Sequence, residues 1–199
     1  MVISNVDLFL TIIPSFLIAY LGIIILFHGR KSVTNIFFAL ISFCTVFWSI
    51  ANYLSISSPD DQTLFWTRLV LFFAVPHALL FLLFVYNFPA TKITNRKFLT
   101  ILLSIMIITM LATVSPFVFS GINFVDGKTI PQTGILIPIF ALVVLGSLFS
   151  ALYLIIKKYL TANKDDKEHW RVMLIGTALS YIFIIATNFI LVVFYQDTS

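Results

Sequence analysis

The chain has 199 residues, of which 60% are hydrophobic and 10% charged, with 22 phenylalanines, a formal net charge of +4 and a mean hydropathy of +1.08. Soluble domains average about 45–50% apolar and roughly 25% charged, so this composition excludes a soluble globular domain and implies an integral membrane protein. The pI near 9.3 comes from a few short turns rather than one broad basic surface, so nucleic acid is not an expected partner.

A helix needs roughly 20 mostly apolar residues to cross a hydrocarbon core of about 30 Å. Six stretches qualify, at about 6–27, 36–56, 64–88, 98–118, 134–156 and 172–195. Runs such as "LGIIILF", "TILLSIMIITMLA" and "LIPIFALVVLG" are apolar all round, whereas barrel strands alternate over about ten residues. The expected fold class is therefore an all-α integral membrane protein, a polytopic bundle of six transmembrane helices forming a single domain over 1–199. Helices meet the backbone hydrogen bonds that lipid cannot.

The first segment has nothing basic before it and no small-residue cleavage site after it, so it reads as an uncleaved anchor. The second holds Cys44, the only cysteine, and no intramolecular disulfide is possible. It also places Thr45, Trp48, Ser49 and Asn52 within about 100° of helical arc. Polar groups in lipid turn inward, either as interhelical glue or as the wall of a ligand cavity.

"SISSPDDQT" is turn chemistry. Pro59 fixes φ, and Asp60 and Asp61 suit the first turn of the third helix, where the dipole favours anions. One turn further in stands Arg68, which has two open readings: an interfacial anchor beside Trp66, with Asp61 seven residues away as an ion-pair partner, or a recognition group for an anionic or carbonyl-bearing signal. The stretch "LFFAVPHALLFLLFVYNFP" carries no charge but contains Pro76 and His77. His77 is half a turn round from Arg68, on the face of Val70, Phe73, Ala74, Phe81 and Phe84. It serves either as a hydrogen-bonded packing residue beside a proline kink or as part of a hinge or signal pocket.

The stretch from Phe119 to Gly134 reads as the longest external loop, with Asp126-Gly127 and Pro131 marking turns. In "NKDDKEHWR", Asp165 and Glu168 have capping-box spacing, which places the start of the sixth helix there. That helix aligns Thr177, Ser180, Tyr181 and Asn188 on one face. Arg68, His77, Asn52, Trp48, Tyr181 and Asn188 are thus the candidates for ligand binding or signal coupling.

The turns at 28–35, 89–97 and 157–171 hold Arg30, Lys31, Lys92, Arg96, Lys97, Lys157, Lys158, Lys164, Lys167 and Arg171, ten of the twelve Lys and Arg residues. Such turns face the cytoplasm, which puts the N-terminus and Ser199 outside. Catalysis is not expected. The histidines are His28, His77 and His169, and every Asp and Glu lies in a loop or at a helix end, so no metal site, carboxylate pair or nucleophile and base can be assembled in the membrane. No cofactor is implied.

The runs "TNIFFALISFCTVFWSIANYL", "LFWTRLVLFFAVPHALLFLLFVYNFP" and "HWRVMLIGTALSYIF" together resemble the seven-transmembrane N-terminal sensor region of membrane histidine kinases. The matching positions are Asn35, Phe38, Ala39, Leu40, Trp48, Tyr53, Phe65, Trp66, Arg68, Pro76, Arg171, Leu174 and Gly176, and the resemblance runs from about 10 to 195. It implies a non-enzymatic input module in a prokaryotic cytoplasmic membrane, whose partners are the bilayer, an unidentified external or lipid-soluble signal, and a second copy met through an output domain. Six crossings that leave both ends outside cannot feed a cytoplasmic output, so the expectation is a piece of a longer protein that lacks a seventh helix. A small transporter, an accessory subunit or a structural scaffold is the competing reading.

Overall fold

The computed structural model describes residues 5–29, 31–125 and 128–185. The elements in chain order are α1 (Asn5–His28), α2 (Val33–Ser57), α3 (Asp60–Asn87), α4 (Arg96–Thr113), β1 (Phe119–Val125), β2 (Lys128–Thr133), α5 (Ile137–Thr161) and α6 (Lys164–Ile185). Five of them contain stretches long and apolar enough to cross a membrane: Thr11–His28, Val33–Ser57, Asp61–Asn87, Arg96–Thr113 and Ile137–Thr161. The expected sixth span, 172–195, extends beyond the described residues, and α6 opens on the polar run "KDDKEHWR". The chain is a multi-pass, all-α membrane protein with one small β-hairpin, and it divides into two compact units, Met1–Leu148 and Phe149–Ser199.

In the first unit α1 packs on α2, α2 on α3 and α3 on α4. Flanked on both sides, α3 supplies Val75, Ala78, Leu79, Leu80, Leu82, Leu83 and Val85 to the buried apolar core. The outer helices keep large apolar side chains exposed, among them Phe9, Phe16 and Phe27 of α1 and Ile108 and Leu111 of α4. Exposed apolar surface on this scale fits a lipid environment. α3 continues through Pro76 from Asp60 to Asn87.

Two features differ from the sequence reading. α4 stops at Thr113 rather than near 118, and 119–134 is a hairpin rather than a loop. β1 and β2 pair antiparallel from Phe119↔Thr133 to Val125↔Lys128, with an irregularity between Phe119 and Gly121. Only Asp126-Gly127 separates Val125 from Lys128, and Asp-Gly is a strong sequence signal for a two-residue hairpin connection. The strand Pro131 is tolerated because each strand of a two-stranded ribbon is an edge. The base is closed where the Gly134 and Leu136 amides donate to the carbonyls of Val118 and Phe117, at 2.8 Å each.

At the opposite end, the turn between α1 and α2 is tied to the turn between α3 and α4. The Val33 amide donates to the Thr91 carbonyl at 3.1 Å, and Thr34 Oγ1 donates to the Ala90 carbonyl at 2.8 Å. The buried Asn87 accepts from the Thr94 amide at 3.0 Å through Oδ1 and donates to the Leu83 carbonyl at 2.8 Å through Nδ2. Asn95 caps α4 by accepting from the Phe98 amide at 3.1 Å.

In the second unit, α6 begins at Lys164, one residue before the expected cap. The Lys167 amide reaches the Asn163 carbonyl at 2.9 Å, so Asp165 and Asp166 lie in the first helical turn, where the macrodipole favours them. Glu168 therefore faces forward and pairs with Arg171 at 2.6 Å, instead of closing a capping box. Two lysine–aromatic contacts join the turn: Lys158 Nζ lies 4.9 Å from the Trp170 ring centre and Lys167 Nζ lies 5.2 Å from that of Tyr159.

Candidate functional site

The face that α3 turns to α2 combines aromatic packing with a polar contact between His77 and Thr45. Phe73 stacks on Phe47 with ring centres 5.4 Å apart, and Phe84 meets Phe38 at 6.1 Å. Between these pairs, His77 Nδ1 lies 3.1 Å from Thr45 Oγ1. At about 1.5 Å of rise per residue, the seven residues from His77 to Phe84 span about two turns. The four from Phe73 to His77 span about one turn. The polar pair is thus set inside an apolar seam, where a lost hydrogen bond finds no water to replace it.

The Thr45 hydroxyl is shared. Its oxygen also lies 2.9 Å from the Ile41 carbonyl, and a hydroxyl has a single proton to donate. If that proton points to Ile41, His77 must donate Nδ1–H to Thr45. If it points to His77, Nδ1 must be bare and Nε2 carries the ring proton. The two arrangements differ only in a hydroxyl rotation and an imidazole tautomer, and the second gives up the Thr45 side-chain bond to the Ile41 carbonyl. Pro76, adjacent to His77, lacks the amide that would otherwise bond one turn back in α3.

Arg68 has a different partner from the expected one. Its Nε and Nη2 both donate to the Phe119 carbonyl, at 3.2 and 2.6 Å, while Asp61 is exposed at the start of the helix. The carbonyl belongs to the first residue of β1, so the guanidinium ties the hairpin to α3. A fork with two donors on one oxygen is a geometry that lysine cannot copy. The half-turn offset between Arg68 and His77 holds: one serves β1, the other α2, and no hydrogen bond joins them.

Trp48 is 38% exposed. Asn52 is half-buried, and its backbone carbonyl accepts from Ser55 Oγ at 2.7 Å. On α6 the expected polar face splits, with Thr177 buried, Tyr181 half-buried and Ser180 exposed and donating to its own helix at the Gly176 carbonyl, 2.9 Å away. Asn188 lies outside the described residues. Among the described residues, no three His, Cys, Asp or Glu side chains are grouped as metal ligands.

Sequence reasoning overlooked the brace formed by Thr34 and Asn87, although an Asn in the last turn of an apolar helix was an available signal. It named Thr45 and His77 separately but had no means of pairing them. No curated protein and no solved structure matches the chain. Residues 8–198, nearly the whole chain, match the family described as the N-terminal 7TM region of histidine kinase. The chain belongs to that family.

Proposed function

We propose that this chain is the non-catalytic input module of a prokaryotic two-component signalling protein. It takes up an external or lipid-soluble signal and converts it into a change in how α2 packs on α3, relayed to a second copy through an output domain. The observation that supports this reading is the Thr45–His77 bond. It is a polar contact with two proton arrangements between aromatic pairs, beside a proline, and switching requires a bistable element of this sort. The basic turns support an orientation with the N-terminus outside the cytoplasm.

The test is a chimera in which this chain replaces the membrane region of a full-length histidine kinase of the same family. Autophosphorylation is then compared between the parent and Thr45→Val. The expected result is a shifted basal or signal-dependent phosphorylation level at unchanged membrane abundance. Equal output from both proteins would overturn the role given to the seam, and solute flux through the purified chain in liposomes would favour a transporter instead.

A further inference from the structure

We propose that the braced end of the first unit, formed by the α1–α2 and α3–α4 turns, is a binding surface for anionic phospholipid headgroups. This goes beyond the input-module reading and does not depend on it. Lys31, Lys92, Arg96 and Lys97 are all exposed there. Neither turn contains an Asp or Glu; the acidic residues of this part of the chain, Asp7, Asp60, Asp61 and Asp126, come at the start of α1, the start of α3 and between the strands. Four like charges are thus carried on two tied turns that supply no neutralising side chain of their own.

The charges are also prevented from spreading apart. Val33 and Thr34 bond to Thr91 and Ala90 across the two turns, Asn87 fixes the loop at Thr94, and Asn95 caps the helix that presents Arg96 and Lys97. Like charges repel unless a counter-charge is supplied, so bracing them costs stability that a bound anion returns. Exposed apolar side chains adjoin them: Ile93 is 38% exposed and Phe27 of the last α1 turn 61%. A soluble anion would use the cations alone. A phospholipid uses both, with its phosphodiester against the basic side chains and its acyl chains against the apolar ones. Juxtamembrane lysine and arginine clusters attract anionic lipid by this mechanism.

The test measures thermal melting of the full chain in detergent while phosphatidylglycerol, phosphatidylcholine or inorganic phosphate is titrated in. Phosphatidylglycerol should raise the melting temperature with saturation, at concentrations where phosphatidylcholine does not. Lys92→Gln/Lys97→Gln should weaken apparent affinity on the order of tenfold, whereas Lys157→Gln/Lys164→Gln, which removes equal charge from the other basic turn, should leave it near the parent value. Lys92→Arg/Lys97→Arg should bind like the parent, separating lost charge from damaged folding. Equal stabilisation by the two lipids would overturn the proposal, as would equal loss in both Gln pairs. Full replacement of the lipid effect by inorganic phosphate would show a free-anion site and likewise overturn it.

Discussion

Gly22 of α1 and Ser42 of α2 approach so closely that a β-carbon added to the glycine would stand 2.7 Å from the serine Cβ. Helices associate in lipid through such small-residue contacts, because no hydrophobic driving force separates a helix from its surroundings. Ser42 is buried and directs its hydroxyl to the Phe38 carbonyl of its own helix at 2.9 Å, so at this contact it acts by being small. Gly22→Ala should therefore destabilise the bundle by about 1–3 kcal/mol through overpacking. Adding Ser42→Gly should recover most of that loss, a non-additivity expected only of residues in contact. Denaturant unfolding in mixed micelles measures both, and an additive double mutant would contradict the contact.

The Thr45–His77 pair should behave as a coupled unit. A double-mutant cycle of Thr45→Val and His77→Leu is expected to give an interaction energy of about 0.6 kcal/mol, up to roughly 1.7, the range for interhelical hydrogen bonds in membranes. An energy indistinguishable from zero would mean that the 3.1 Å approach contributes nothing to holding α2 on α3.

Arg68→Lys retains the charge but can no longer place two donors on the Phe119 carbonyl. Hydrogen exchange should accelerate in β1 and β2 by roughly fivefold to tenfold, as expected for about 1–1.4 kcal/mol of lost local stability, with the α2–α3 seam unchanged. In the kinase chimera the same change should weaken signal response without lowering insertion. Unaltered exchange in the hairpin would return Arg68 to a simple interfacial anchor.

In the second unit, Lys158→Met keeps the length of the side chain and removes its cation from the Trp170 ring. The expected cost is about 0.5–1 kcal/mol, read as faster exchange in the last turn of α5 and the first of α6. Parent-like exchange in both turns would show that the 4.9 Å contact is not stabilising.

Orientation is open to a labelling test. With Cys44→Ser as background, Lys92→Cys should react with a membrane-impermeant maleimide only after cells are permeabilised, and Pro59→Cys should react in intact cells. The opposite pattern would invert the assigned topology.

The apolar runs, the starts of helices at Pro59-Asp60-Asp61, and the segregation of basic residues to particular turns could all be read from the sequence, because each depends on neighbours within a few positions. Arg68 and His77 were separable for the same reason, since helical periodicity alone puts them half a turn apart. The hairpin was locally marked by Asp126-Gly127, but "FSGINFV" and "KTIPQT" alternate too weakly to outweigh the expectation of a loop between spans. Only the tertiary structure decided that α3 lies between α2 and α4, that Thr45 meets His77, and that Arg68 binds the Phe119 carbonyl instead of Asp61. Periodicity tells which face a side chain occupies, but the neighbour on that face depends on the register of two helices distant in sequence. In a bundle surrounded by lipid, small residues and a few hydrogen bonds set that register, and nothing in the one-dimensional pattern states which of them will be opposed.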